Sequence, residues 1–294
     1  MGLPAYMRAR TPADMHRVLL AADGGRVVGV ANSDFTPSHM LVTQIGDTVY
    51  DTNRADPWDL VAEGPGVSRG RSAYGQASGF VAQTLEHRTN GQRYRAKRLE
   101  AFNFGSGSWS VLFPWRYEAG SGGWCIGNIR GPRPEDPFYG HTSSVTWGED
   151  RGWACSYNGD GGFGFGAYGP VSNVDNWINM DTVWGSYDAR DGRWRYLETG
   201  YNHLARTAWM TCSKRLDEGG GVAVCAQQTA LGPGDLTSPD YFATGCPMYG
   251  VERSWFDGAI GLPICVFEGD VAISRWHSRL WALPVLQVDL ERNE

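Results

Sequence analysis

The chain has 294 residues, a formal net charge of −6 and 20% charged residues, a length that permits one large β-domain or two of ordinary size. Forty glycines and fifteen prolines exclude a mainly helical protein, and they lack the strict period of collagen. There is no lysine-rich run to neutralise phosphates, so nucleic acid is not expected as a partner.

The 26 basic residues include only two lysines, Lys97 and Lys214, the pattern of a GC-rich genome. No stretch reaches the ~18 consecutive apolar residues of a membrane span, so no membrane insertion is expected. Arg8 and Arg10 are not followed by an apolar h-region, and Tyr6 stands where a myristoylation motif requires Ser or Thr. The expectation is a bacterial or viral product made in a cytoplasm.

In chain order, residues 11–21 read as a helix, with Thr11 as N-cap and Pro12 in the first turn. The competing and preferred reading makes residues 17–21 and 26–30 a hairpin around Asp23-Gly24-Gly25. A second hairpin spans residues 40–45 and 48–51, closed at Gly46-Asp47. Residues 51–71 look like a loop or contact arm, with Asp56-Pro57 and Gly64-Pro65-Gly66 as turn signals. Strands are expected at 80–86 and 93–104, and at 108–117 with a break at Pro114. Further strands are expected at 123–129, 143–147 and 152–157, with a proline-rich loop at 131–137. Residues 158–166 are too glycine-rich for a strand interior without packing support. Hairpins follow at 182–187 with 193–198, and at 205–212 with 222–227; apolar runs close the chain at 260–267, 271–276 and 281–290.

Short strands with few helices predict a mainly β fold, an antiparallel β-sandwich or barrel-like domain with long Gly/Pro-rich loops and little helix. A mild composition shift near residue 100 divides a smaller N-terminal β-rich part, 1–100, from a Gly/Trp-rich sandwich domain, 101–294; one continuous body remains open.

No nucleophile elbow, zinc-protease motif or phosphate loop occurs, and no catalytic residue is assigned. The six histidines are dispersed, and no two of the six cysteines have zinc-knuckle spacing. No metal and no cofactor are therefore expected, and the cysteines read as free, buried, small hydrophobes. Glu149, Asp150, Asp160, Asp175, Asp181 and Glu198 are the acidic candidates for glycoside chemistry, which needs two carboxylates across a cleft; most of them read as turn-capping residues. Nine of the thirteen tryptophans lie between residues 102 and 210. Trp and Tyr rings stack on sugars as well as filling cores, so Trp147, Trp153, Tyr157, Tyr168, Trp177 and Trp184 form a candidate ligand-binding aromatic face.

The Gly/Trp/Tyr tract from Trp147 to Trp209, the short strands and the scarcity of lysine resemble structural proteins of tailed-bacteriophage virions, such as tail-tip, fibre or minor tail components. The resemblance implies location in the virion, homo-oligomeric assembly, attachment to other virion proteins and contact with host-surface glycan. A carbohydrate-binding lectin-like module is the alternative, and a β-rich glycoside hydrolase or lyase the third reading.

Overall fold

The computed structural model describes residues 38–51, 53, 55–64, 69–72, 82–87, 92–119, 122–129, 152–158, 163–168, 177–181, 189–215, 222–229, 234–245 and 256–269. Among them there is no helix and there are seventeen strands. The first eight are β1 (His39–Ile45), β2 (Thr48–Asp51), β3 (Leu60–Glu63), β4 (Arg69–Ser72), β5 (Ala82–His87), β6 (Arg93–Ala96), β7 (Trp109–Ala119) and β8 (Gly122–Gly127). They are followed by β9 (Gly152–Asn158), β10 (Phe163–Tyr168), β11 (Trp177–Asp181), β12 (Arg195–Asn202), β13 (Thr207–Ser213) and β14 (Val222–Thr229). The last three are β15 (Ala243–Thr244), β16 (Asp257–Gly261) and β17 (Ile264–Glu268).

All pairings are antiparallel. One continuous path runs β11-β10-β9-β8-β15-β6-β3-β2-β1-β17-β7-β12-β13-β14. The far end of β7 carries a branch, β16-β5-β4. The path folds over, so that its ends approach each other at β11 and β14 without a ladder between them among the described residues. The result is a sandwich, as the strand pattern predicts. Strands from before residue 100 are hydrogen-bonded to strands from the end of the chain: β1 to β17, β5 to β16 and β6 to β15.

The core follows from alternation on β7, where Trp109, Val111, Phe113, Trp115 and Tyr117 all face inward. Trp109 meets the opposite layer at Trp153 of β9, with ring centroids 4.8 Å apart, and at Phe165 of β10, 5.8 Å away edge-on. Phe104 stacks on Trp109 at 4.3 Å, and Phe102 stacks on Phe242 at 3.6 Å. Much of the aromatic content is therefore the filling between the layers. Cys125, Cys155, Cys212 and Cys265 are free and buried, as expected. Burial pushes the Cys125 and Cys265 thiols up to about 12, which leaves them inert.

Several local expectations are met. The β1–β2 hairpin turns at Gly46, whose φ of 60° suits a residue without Cβ, and β13 pairs with β14 across the turn beginning at Lys214.

Others are corrected. Pro114 does not break β7: the neighbouring ladder changes there from β17, opposite Leu112, to β16, opposite Trp115. A residue without an N–H is tolerated at such an interruption. The glycines of 158–166 do not prevent β10, because β9 and β11 flank it on both sides and Phe165 anchors it in the core. Of the expected 182–187/193–198 hairpin only the second arm is described, and from Arg195 it runs as β12 between β7 and β13. The 51–71 segment is no simple loop: β3 within it bridges β2 and β6. The 93–104 strand ends at Ala96, and the 260–267 run bends at Leu262-Pro263 between β16 and β17. The segments at 11–30, 131–137, 143–147, 182–187, 271–276 and 281–290 lie outside the described residues.

A buried carboxylate constellation anchors the first hairpin. Asp51 is fully buried, and its carboxylate accepts hydrogen bonds from His39 Nδ1 (2.7 Å), Met40 N (3.0 Å), Asn53 N (3.1 Å) and Trp58 N (2.9 Å). The His39 ring lies flat on Trp58, with centroids 3.6 Å apart. One side chain thus ties β1, β2 and the 53–58 turn together, which brings Tyr50 and Asp59 into register with the strands beyond.

Candidate functional site

The two layers have unlike outer faces. On the β17–β7–β12–β13 side, Glu198 stands between Leu112 and Thr211, and Gly200 between Ser110 and Trp209. Cys265 and Phe267 continue those two rows on β17. Every one of these residues is buried. Gly200 is needed because a Cβ there would come within 2.5 Å of the Trp209 ring. Glu198 is fully enclosed, and burial pushes its carboxyl up to about 8, with the neighbouring Trp209 indole opposing the rise. It is therefore protonated at neutral pH. Its enclosure denies Glu198 the water access that glycoside hydrolysis requires, and the other carboxylates of this face, Glu86 and Glu118, are engaged by Arg116 further along β5 and β7.

On the β2–β3–β6 side the outer face is open. Strand alternation buries Val49, Leu60, Tyr94 and Ala96, and it leaves Thr48, Tyr50, Val61, Glu63, Arg93 and Arg95 in contact with solvent. The register places four polar or aromatic residues in one row. Val49 pairs with Leu60, which sets Tyr50 beside Asp59. Lys97 N donates to Asp59 O at 3.0 Å, and Ala96 N donates to Phe242 O at 2.8 Å, which brings Tyr241 beside Lys97. The row is Tyr50, Asp59, Lys97, Tyr241.

Cations hold both tyrosine rings. The Lys97 ammonium lies 5.9 Å from the Tyr50 centroid, and the Arg95 guanidinium 4.5 Å from that of Tyr241. Two rows further along the same face Glu63 links two arginines, receiving Arg93 Nη2 at 2.6 Å and Arg95 Nε. Burial works to raise the Glu63 pKa, but the Arg95 hydrogen bond and the Arg93 charge outweigh it and the net shift is downward. The carboxylate therefore stays ionised and fixes both guanidinium planes. The arrangement presents two aromatic rings with donors and acceptors between them, the elements that recognise a hydroxyl-rich ligand.

The aromatic residues singled out in the sequence are placed differently. Trp153 is fully buried, and its indole N–H donates to Phe102 O at 3.0 Å; its ring serves the core and offers no face to a ligand. Tyr157 lies on β9, Tyr168 on β10 and Trp177 on β11, with Tyr168 directly opposite Trp177 in the ladder. Trp147, Glu149, Asp150, Asp160, Asp175 and Trp184 lie outside the described residues, and Asp181 ends β11. The open face is not visible in the sequence because its tyrosines are single residues, Tyr50 in an ordinary strand and Tyr241 in the irregular stretch ahead of β15. The one available signal is the basic alternation Arg93, Arg95, Lys97 in the expected 93–104 strand, which by itself reads as an ordinary solvated outer face.

No protein-family model and no curated protein matches the sequence. Among solved structures the chain is similar to the binding domain of botulinum neurotoxin serotype G, at 9% identity and a TM-score of 0.53 over 84% of this chain and 51% of that one. It is also similar to the CBM40 of Ruminococcus gnavus IT-sialidase, at 11% identity and a TM-score of 0.45 over 66% and 95%. A third is botulinum neurotoxin type C, whose cell entry depends on interaction with two ganglioside molecules, at 10% identity and a TM-score of 0.47 over 86% and 52%. The chain spans about half the length of the neurotoxin binding domains it resembles. At such identities the likeness defines the fold.

Proposed function

We propose that the chain is a non-enzymatic, lectin-like carbohydrate-binding module whose ligand lies on the open face of β2, β3 and β6. The observation that carries this reading is the Tyr50–Asp59–Lys97–Tyr241 row, partly exposed where the outer face of the other layer is buried. Sugar rings stack through their apolar faces on tyrosine, and their hydroxyls exchange hydrogen bonds with carboxylate, ammonium and guanidinium groups. The fold shared with a toxin binding domain is consistent with that use. The test is binding to immobilised bacterial and host-surface glycans by wild type and by Tyr241→Ala. Loss of about tenfold in affinity with an unchanged melting temperature supports the site. Binding that survives the substitution refutes it, and release of reducing ends from any bound glycan refutes the non-enzymatic part.

Assembly with virion proteins, homo-oligomerisation and location in the virion rest on the resemblance to phage structural proteins alone. Solution mass by light scattering tests the oligomer: a concentration-independent trimer or larger ring supports it, and a strict monomer counts against it.

A further inference from the structure

We infer that the open face takes an extended oligosaccharide laid across the strands from Tyr50 to Tyr241, with the Lys97 ammonium at its Tyr50 end, and discriminates against single sugars. The inference rests on the carbohydrate-binding reading and adds the size class and direction of the ligand.

The register carries it. Tyr50 on β2 and Tyr241, which leads into β15, are separated by β3 and β6, so they stand three strand spacings apart. At about 4.8 Å per spacing the two rings are roughly 14 Å apart, wider than one pyranose ring covers. A single sugar can therefore use one tyrosine but not both, whereas a chain of roughly three or more units reaches from one to the other.

What lies between the rings suits a chain and not two separate pockets. Asp59 and Lys97 are the two intermediate members of the row; Lys97 is exposed and Asp59 half-buried. Lys97 starts beside Tyr241 and crosses β3 to set its ammonium over Tyr50, so its side chain runs along the row between the two ends. Flanking the row, Arg95 packs on Tyr241 and is itself tied to Glu63. The floor is thus continuous and polar, with both anchors pre-positioned, and a flexible ligand gains from spanning it only if it is long enough. The twist of about −20° per strand turns the second ring by roughly 60° relative to the first, which a linear chain follows by its own helical turn and a rigid compact ligand does not.

The experiment is a chain-length series. Neutral, carboxylated and sulfated glycans from mono- to hexasaccharide are immobilised and probed with wild type, Tyr50→Ala and Lys97→Gln, with thermal unfolding of each variant as the folding check. Wild type is expected to bind the longer chains about tenfold or more tightly than the matching monosaccharide. Tyr50→Ala is expected to remove most of that length advantage, and Lys97→Gln, at an exposed position that the fold does not need, to reduce it. Equal affinity for mono- and hexasaccharide, or an undiminished length advantage in a folded Tyr50→Ala or in Lys97→Gln, overturns the inference and leaves the binding reading standing. Wild type that binds no glycan of any length overturns the binding reading itself.

Discussion

Glu198 offers the sharpest test of the physical reading. Its carboxyl is held protonated up to about pH 8 by burial, whereas in the unfolded chain it ionises near 4.5. Between those values the folded protein keeps a proton that the unfolded chain releases, so stability is fully present below pH 4.5 and is lost as pH rises toward 8. At about 1.4 kcal/mol per pH unit the loss is on the order of 3 kcal/mol by pH 7 and about 5 kcal/mol by pH 8. His87 works in the opposite sense. Burial lowers its pKa to about 4 from an ordinary 6.5, so its contribution is present above pH 6.5 and falls away toward pH 4. Between pH 4.5 and 6.5 the two slopes oppose each other; above 6.5 only that of Glu198 remains.

Glu198→Gln keeps the shape but removes the proton. Urea unfolding of both proteins in half-unit steps from pH 4 to 8.5 yields the difference in stability, in which all groups common to both cancel. The variant should gain on wild type by about 1.4 kcal/mol per unit from pH 4.5 to 8 and hold constant outside that window. Its own curve should rise from pH 4 to 6.5 and then level off, exposing the His87 contribution. A difference that does not change with pH would refute the reasoning, because it would mean that Glu198 ionises alike in both states.

Two other substitutions probe the scaffold. Asp51→Ala strips four hydrogen bonds from a buried site and leaves the His39, Met40, Asn53 and Trp58 donors unmatched, at a cost of about 3–5 kcal/mol in urea unfolding. Amide exchange at Trp58 should accelerate even in folded molecules, and an unchanged rate would contradict the assigned role. Trp153→Phe loses the indole bond to Phe102 O and leaves a gap between Phe104, Trp109 and Phe242, for about 2–3 kcal/mol; a shift below 1 kcal/mol would mean that the core relaxes into the space.

The fold class was legible because period-2 alternation and turn residues are local signals. The hairpin at Gly46-Asp47 and the β13–β14 pair follow from them directly. What was not legible is non-local. Pro114 reads as a strand breaker until the ladder beside it is known to change partner there, and nothing near β12 in the sequence indicates β7 as its neighbour. The glycines of β10 read as loop because nothing in the sequence shows that two strands flank them. The row on the open face joins residues 50, 59, 97 and 241, and no window of sequence contains it.

Within the tryptophan tract, the described fully buried indoles serve the core. A sandwich whose strands carry many glycines has narrow side-chain volume on those strands, and large rings on the facing strands fill what the glycines leave; Trp109, Trp115, Trp153 and Trp209 are all almost fully buried. Indole buries more area than any other side chain, so the interior claims it first. The residues left to meet solvent are those whose polar ends resist enclosure, here tyrosine, arginine and lysine on the alternate positions of β2 and β6. A binding face in such a protein is therefore better sought at tyrosines that alternate with core residues beside cationic partners than at the densest run of tryptophan. Tyr50 and Tyr241 satisfy that criterion, and Trp153 does not.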